Sequence, residues 1–329
     1  MTQRFDQLFY PASIAIIGAS HYDQKGGGFL LQGLIRNGFK GKLYPVNPNE
    51  SEIMGLRTYP SILDIHGEVD LAIVAVPARS VPQVIAECSQ KGVKFAVVHS
   101  VGFSELGTQG RELEDEILRA AQQGSIRIIG PNCMGLYCPQ VGLNTIVPPV
   151  HLADAAGSVA FIGQSGWVSE NFIHSGYECG LRFSKAVSIG NQSDLAIEDF
   201  LEYFAADAET KVIACYIEGI KHGRDFLQLA KQISRKKPII IWKAGNTRVG
   251  AAAAASHTGS MAGNSNAFNA ALRQAGVASA HNLEELIDLT VGFTCPVMPS
   301  GNKLGLLVES GGGGVASADV YEALGLELP

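Results

Sequence analysis

One stretch of the sequence presents a histidine among very small residues. The segment GNTRVGAAAAASHTGSMAGN (245–264) places His257 between Ser256 and Thr258, next to glycines and a run of alanines. Neighbours of this size leave an imidazole ring uncovered, and neutral imidazole is a nucleophile near pH 7. We therefore predict that His257 accepts a phosphoryl group. A lone loop histidine is more often exposed and inert, so the prediction depends on the groups that would support it.

A phosphorylated histidine needs an acceptor for its second ring nitrogen and a pocket for its phosphate. Glu218 follows the apolar run VIACYI, and the carboxyl ends of parallel strands are where sites form, so we predict that it orients His257. Gln164, Ser165 and Gly166 join a predicted strand to a predicted helix. The N–H groups and the dipole at a helix start favour an anion, which predicts a phosphate site. The alternatives are that Glu218 caps the next helix and that the glycine loop is only a turn.

A second candidate site is the glycine turn near the N-terminus. Gly18, Ala19 and Ser20 follow the first apolar run, three glycines at 26–28 open the next helix, and Lys25 adds a positive charge. Such a turn lets a phosphate approach backbone N–H groups. The spacing is not G-x-G-x-x-G, and the segment after the second strand lacks the acidic residue that holds the ribose of NAD. We predict nucleotide-type binding rather than a purely structural turn, and the sequence argues against a nicotinamide oxidoreductase.

Both candidate sites lie on alternating apolar runs and amphipathic stretches, which predict α/β domains with parallel, doubly wound sheets. The predicted strands cover 13–18, 71–76, 94–100 and 126–130, and then 158–163, 182–190, 211–219 and 237–245. A proline-rich stretch separates the two series, and a third unit begins with a strand at 303–310 and a helix at 315–324. We predict domains at 1–148 and 149–298, and at 299–329 the beginning of a third α/β domain that is truncated.

The composition excludes several classes of function. The net charge of −6 gives no reason to expect binding to nucleic acid or to an anionic membrane. No run approaches the ~18 apolar residues of a membrane span, and the N-terminus does not read as a signal peptide. The six cysteines are scattered without a zinc-ligand pattern, so we predict reduced thiols, no metal site and a cytoplasmic protein.

Ten stretches of the chain resemble one known family, in the same order. They are IIGAS, YPVNPN, VDLAIVAVPA, GVKFAVV, GFSELG, GPNCMG, GQSG, SIGNQSD, YIEGI and SHTGSMAG. The chain resembles the α subunit, or α part, of ADP-forming acyl-CoA synthetases, relatives of succinyl-CoA synthetase. The resemblance implies an N-terminal Rossmann-like CoA-binding domain followed by a flavodoxin-like succinyl-CoA ligase domain that holds the phosphohistidine loop.

The resemblance also implies roles for particular residues. It makes His257 the phosphoryl carrier and Glu218 its orienting carboxylate, with Asn132, Cys133 and Gly135 bordering the thioester chemistry. The CoA site that it implies comprises Gly18, Ala19, Ser20, Lys25, Val46, Asn47, Pro48, Val76, Pro77, His99, Ser100 and Val101.

The implied reaction joins a small carboxylic acid to coenzyme A at the expense of ATP, reversibly, through an acyl phosphate and a phosphohistidine. ATP or ADP and Mg²⁺ would bind an ATP-grasp β subunit or fused domain, which implies a hetero- or homo-oligomer. Trp167 and Glu170 depart from the family pattern and argue against assuming acetate or succinate as the acid. The alternative is a non-catalytic CoA-binding regulatory module, as in relatives linked to protein acetyltransferases. Such relatives tend to lack the carrier histidine, so His257 with Glu218 favours the enzyme.

Overall fold

The computed structural model describes residues 2–22, 26–147, 154–245, 247, 249–250, 265–295 and 299–328. The predicted site residues Lys25 and His257 and the predicted domain boundary after residue 148 lie outside these ranges. The chain forms two compact units, Met1–Thr294 and Cys295–Pro329. In the part of the chain that is described, no helix combines the length and the apolar character needed to cross a bilayer.

The first sheet has five parallel strands with helices on its faces. Its segment of the chain contains α1 (Thr2–Phe9), β1 (Ser13–Ile17), α2 (Gly26–Arg36), β2 (Lys42–Val46), the short hairpin β3 (Glu52–Ile53) and β4 (Leu56–Arg57), β5 (Leu71–Val74), α3 (Val81–Lys91), β6 (Phe95–Val98), α4 (Thr108–Gly124) and β7 (Arg127–Ile129). The strand order is β2-β1-β5-β6-β7. Every residue of β1, β5 and β6 is buried, as the apolar runs predicted.

The second sheet repeats this architecture and adds two antiparallel strands. Its elements are β8 (Gly135–Cys138), β9 (Leu143–Asn144), β10 (Ala156–Gly163), α5 (Gly166–Glu178), β11 (Phe183–Ser188), α6 (Ile197–Ala206), β12 (Val212–Ile217), α7 (Gly223–Ile233), β13 (Ile239–Lys243), α8 (Ser265–Gln274), β14 (Ala278–Ala280) and α9 (Leu283–Thr294). The order is β14-β13-β12-β10-β11-β8-β9. The strand order changes direction between β1 and β5 in the first sheet and between β10 and β12 in the second. The α/β fold with parallel sheets is therefore confirmed.

The two sheets belong to one compact unit, and several contacts join their segments. The Phe9 ring on α1 stacks on Tyr203 of α6, with centroids 5.4 Å apart. At the start of β7, Arg127 forms an ion pair with Asp194 at 2.9 Å, and the same carboxylate accepts the backbone N–H of Ile128. Strands β8 and β9 precede residue 148 and yet pair with the second sheet, so the boundary stays a prediction.

The predicted strand at 303–310 is wrong. Within this segment the only bridge in the described residues joins Lys303 to Glu327, and the side chain of Leu307 is 98% exposed. An extended segment becomes a strand only when a neighbour accepts its backbone hydrogen bonds, and no neighbouring strand is described here. The helix after it does form, as α10 (Gly311–Ala323), and the Ser310 hydroxyl caps its start by accepting from Gly313 N–H at 3.2 Å.

Candidate active site

The predicted CoA residues other than Lys25 follow four strands that lie side by side. Gly18, Ala19 and Ser20 follow β1, Val46 ends β2 and precedes Asn47 and Pro48, Val76 and Pro77 follow β5, and His99, Ser100 and Val101 follow β6. All of them therefore lie at the carboxyl edge of the first sheet. Ligands of open α/β sheets bind at this edge, where the strand order reverses.

Gly18 lets the first turn pass close to strand β5. Its φ is +89°, and a Cβ at this position would lie 2.4 Å from the carbonyl oxygen of Ala75. A side chain here would have to displace backbone, so glycine is required for both the conformation and the approach. Nearby, Asn47 Nδ2 donates to the carbonyl of Ala19 at 2.8 Å, which fixes the second-strand loop against the same turn.

The corresponding edge of the second sheet is built around Gln164. Its Oε1 accepts the N–H of Gly219 at 2.9 Å and contacts the N–H of Glu218, and its Nε2 donates to the Gly219 carbonyl at 2.8 Å. Gln164 follows β10 and Glu218 follows β12, the two strands between which the order of the sheet reverses. Two predicted site residues are thus in direct contact at the switch point.

Glu218 is buried, with 5% of its surface exposed. Its Oε1 accepts the hydroxyl of Tyr216 at 3.1 Å. Burial lowers the pKa of Lys243 at the end of β13, and the carboxylate of Glu218 opposes that shift, so a cation lies within its electrostatic reach. The N-cap residue of α7 is His222, so Glu218 does not cap that helix. Sequence analysis did not identify Tyr216 or Lys243.

The loop Gln164–Gly166, called the phosphate loop here after its predicted role, lies at the start of a helix. Ser165 is the N-cap of α5, and its hydroxyl accepts the N–H of Val168 at 3.4 Å. The first N–H groups of a helix have no acceptor within it, and together with the helix dipole they favour an anion at the helix start. Gly166 lies against Met134, because a Cβ there would come within 2.5 Å of the Met134 side chain. The loop therefore contacts the segment that precedes β8.

One cavity of about 280 Å³ brings residues from the three predicted groups together. Its lining consists of His99, Val101, Asn132, Cys133, Met134, Gln164, Ser165, Gly166, Trp167, Gly190 and Asn191. Members of the CoA, thioester and phosphate sets face one space. Trp167, with 66% of its surface exposed, adds an aromatic ring to the wall. Glu218 is not in the lining itself but contacts Gln164, which is.

His99 and Cys133 face each other across a hydrogen bond. The His99 Nδ1 lies 2.8 Å from the carbonyl oxygen of Cys133. Because a carbonyl can only accept, Nδ1 carries the proton and a neutral ring has its lone pair on Nε2. Burial lowers the pKa of His99 and outweighs the opposing effect of this bond. Burial raises the pKa of the Cys133 thiol to about 12, so that sulfur stays protonated and is not a nucleophile near pH 7.

Gly190 and Asn191 also line the cavity, and the sequence matched them only as part of the motif SIGNQSD. Gly190 has φ +52°, and a Cβ there would lie 2.2 Å from the carbonyl oxygen of Pro131. The Asn191 amide donates to Glu105 Oε2 at 2.7 Å. Burial would raise the pKa of Glu105, but hydrogen bonds from Asn191 and from the Gly102 N–H group lower it on balance. The stretches GFSELG, GPNCMG and SIGNQSD thus meet at one wall of the cavity.

Comparison with known proteins defines the class of this site. A CoA binding domain matches residues 12–139, and a succinyl-CoA ligase like flavodoxin domain matches residues 156–293. The chain is 42% identical to the α subunit of ADP-forming acetate–CoA ligase II of Pyrococcus furiosus, over 98% of the chain and 70% of that protein. It is 44% identical to an ADP-forming acetate–CoA ligase of Methanocaldococcus jannaschii, over 95% of the chain but only 43% of that protein.

A solved structure agrees with these matches. The dinucleotide-forming acetyl-coenzyme A synthetase 1 of Candidatus Korarchaeum cryptofilum, in complex with phosphate and ADP, superposes with a TM-score of 0.90 at 41% identity. The match covers 98% of this chain and 69% of that one. Fold and site together define a two-domain CoA-ligase component. The chain belongs to the family of ADP-forming acetate–CoA ligase α subunits, and it carries the CoA-binding domain of that family.

Proposed function

We propose that this chain is the CoA-binding, phosphohistidine-carrying component of an acid–CoA ligase. The reaction converts an acid, CoA and ATP to acyl-CoA, ADP and phosphate, reversibly. The observation that carries the proposal is the single cavity lined by His99 and Val101, Asn132 and Cys133, and the phosphate loop at Ser165. A thioester can form only where the thiol, the acyl carbon and the leaving phosphate meet.

The proposal assigns the phosphoryl carrier to His257. The segment that contains it begins directly after β13, the strand next to β12, and the Ala244 N–H donates to the Ile217 carbonyl at 2.8 Å. The segment therefore leaves the sheet beside Glu218. In this proposal Glu218 accepts the N–H of the second ring nitrogen, and Gln164, Ser165 and Gly166 bind the phosphate.

Coenzyme A would lie along the carboxyl edge of the first sheet. The turn at Gly18–Ser20 would bind its phosphates, with the loops after β2 and β5 beside the nucleotide. The pantetheine arm would then pass His99–Val101 and bring the thiol to Asn132 and Cys133. A small carboxylic acid is the proposed second substrate, and Trp167 would form an apolar wall beside its acyl group.

ATP or ADP and Mg²⁺ are assigned to a partner. Some relatives are named as α subunits, and the chain spans less than half the length of others, such as the Methanocaldococcus enzyme. We propose an ATP-grasp β subunit or fused domain that exchanges the phosphoryl group with His257. A CoA-binding regulatory module is the alternative, and it requires no reactive histidine.

Labelling distinguishes these functions. The chain is incubated with its ATP-grasp partner and γ-labelled ATP, and acid-labile, base-stable protein phosphate is measured. We expect label on wild type and on His281→Asn, a control because His281 is exposed and lies on another loop, and none on His257→Asn. CoA binding without label on wild type would support the regulatory module, and label on His257→Asn would refute the site assignment.

A further inference from the structure

We propose that His99 is the base that removes the proton from the thiol of coenzyme A during thioester formation. The proposal rests on the proposed function, because it assumes that the thiol enters the cavity beside Cys133. From the sequence, His99 was included in the implied CoA site but was assigned no part in proton transfer. The hydrogen bond of His99, its place in the cavity wall and the composition of that wall together carry the assignment.

The first argument is the orientation of the imidazole ring. The bond from Nδ1 to the Cys133 carbonyl fixes both the tautomer and the ring plane, and it leaves Nε2 with a lone pair. Among the described residues, Nε2 has no hydrogen-bond partner, while the residue lines the cavity. A half-buried ring that is held through one nitrogen and open at the other is arranged to accept a proton from a ligand.

The second argument is the composition of the wall. Of the residues that line the cavity in the described part of the chain, only His99 can accept a proton near neutral pH. Cys133 stays a thiol, and the amides and hydroxyls of the wall are not bases. The phosphate loop with Ser165 lines the same space. His99 and the proposed binding site of the leaving phosphate therefore flank the position where the acyl carbon would lie.

The third argument is the charge around the ring. The Cys133 thiol in the cavity lining is uncharged, and the start of α5 contributes Ser165, Gly166 and Trp167, none of which is charged. The carboxylates of Glu105 and Glu114 accept from the amide of Asn191 at 2.7 and 3.3 Å, and neither residue lines the cavity itself. Burial and the Cys133 carbonyl are the two influences on the pKa of His99, and the net effect lowers it. The ring is therefore neutral at pH 7, and the lone pair on Nε2 is free to accept a proton.

The proton of the thiol and the electron pair of the leaving group each have an acceptor in this step. The S–H bond of CoA breaks and its proton moves to Nε2, the S–C bond forms at the acyl carbon, and the C–O bond to phosphate breaks with its electron pair leaving on phosphate. In the reverse direction the imidazolium returns its proton to the thiolate as phosphate attacks the thioester. General-base help of this kind contributes about 10²–10⁴-fold to a rate.

Two variants of His99 separate a chemical role from a structural one. In His99→Asn the amide nitrogen takes the place of Nδ1 and can keep the bond to Cys133, but no base remains. In His99→Gln the amide lies near the position of Nε2. The exposed His174→Asn on α5 is the matched control. Each is combined with the ATP-grasp partner, ATP and acetate, or whichever acid of a short aliphatic and aromatic series reacts fastest.

Three readouts are compared: label on His257, acyl phosphate trapped with hydroxylamine, and thioester formed with CoA. We expect both His99 variants to keep label and hydroxamate within about twofold of wild type and to lose about 100-fold in thioester formation at pH 7. The loss should shrink as pH rises toward the pKa of the CoA thiol, because more of the thiol is then ionised without the help of a base. His174→Asn should match wild type throughout.

The proposal is overturned if His99→Asn forms thioester at more than half the wild-type rate, or if its deficit is the same at every pH. Either result would reduce His99 to a packing residue. Wild-type protein that gives neither label nor hydroxamate would instead refute the proposed function, and this proposal with it. A defect confined to thioester formation therefore tests the role of His99, whereas a defect in labelling tests the proposed phosphohistidine.

Discussion

Gln164 and Gly219 exchange two hydrogen bonds, of 2.9 Å to the Gln164 oxygen and 2.8 Å from its nitrogen. Each residue lies just beyond one of the two strands, β10 and β12, where the order of the second sheet reverses. These two hydrogen bonds, called the Gln164 clamp below, fix the position of the Glu218 backbone relative to the phosphate loop. Only an amide side chain can both accept and donate in this way.

Replacing Gln164 by glutamate should break this clamp. A carboxylate cannot donate to the Gly219 carbonyl, and it adds a second negative charge beside the buried Glu218. We expect phosphohistidine label to fall at least about tenfold. The variant loses the buried hydrogen bond to the Gly219 carbonyl and buries an added charge, and a hydrogen bond that involves a charged group is worth about 1.5–3 kcal/mol. The exposed Gln123→Glu on α4 is the control and should label normally. Normal labelling of Gln164→Glu would show that the clamp does not position the site.

A change at Gly18 should impair CoA binding at the first sheet without affecting phosphorylation at the second. Gly18→Val places a Cβ against the Ala75 carbonyl in a conformation that valine rarely adopts. We expect the Kd for CoA, measured by calorimetry, to rise at least about tenfold while label on His257 stays near wild type. Gly38→Val has a similar φ of +65° but open space around its Cβ, so it controls for backbone strain. Equal effects of the two changes would contradict the role of the turn.

Gly190 should be required for the contact between the two halves of the cavity. Gly190→Ala drives a methyl group into the Pro131 carbonyl, 2.2 Å away, and moves the Asn132–Cys133 segment. We expect CoA-dependent thioester formation to fall at least about tenfold with little change in label. Gly180→Ala, at φ +91° with nothing nearby, should cost only the ~1–2 kcal/mol of left-handed strain and leave the reaction intact.

Much of this architecture could be predicted from the sequence, because fully buried parallel strands leave continuous apolar runs. The run at 71–76, for example, was predicted as a strand and forms β5, Leu71–Val74. The family motifs identified most residues of the cavity wall. The strands β8 and β9 were missed, because they have only a few residues each, flank a proline and pair antiparallel at the edge of the other domain's sheet.

The local chemistry of the site was harder to predict. No periodicity indicates that Gln164 would bond to the chain after β12, or that His99 would bond through Nδ1 to Cys133. Both contacts join segments that are distant in sequence and depend on how two loops pack. The prediction of a strand at 303–310 was wrong because an apolar run does not specify the neighbouring strand that must accept its backbone hydrogen bonds.

The buried cation Lys185 on β11 should contribute to the stability of the second sheet. Its side chain is fully buried, and Nζ pairs with Asp207 at 2.8 Å and Glu209 at 2.9 Å. Lys185→Ala leaves the Asp207 carboxylate without its cation, which should cost about 3 kcal/mol in urea unfolding at pH 7. The exposed Lys231→Ala should change stability by less than about 0.5 kcal/mol.

The ion pair between Lys185 and Asp207 also predicts that the free energy of unfolding depends on pH. Burial would raise the pKa of Asp207, but hydrogen bonds from Lys185 and Thr210 lower it on balance. The unfolded chain therefore binds this proton more readily, so the stabilisation is complete above about pH 4 and is lost as pH falls through the folded pKa. The difference between wild type and Lys185→Ala should narrow at pH 3. A difference that is constant from pH 7 to pH 3 would contradict the ion pair.

The discharge of the phosphorylated chain tests the central claim most directly. Protein labelled by ATP and its partner is freed of nucleotide, mixed with acid and CoA, and followed by rapid quench. Our account predicts that label on His257 disappears with one acyl-CoA and one inorganic phosphate formed per phosphate lost, and that Glu218→Gln slows this loss. Thioester that forms while the label stays on the protein would show that the histidine is not on the path between ATP and acyl-CoA.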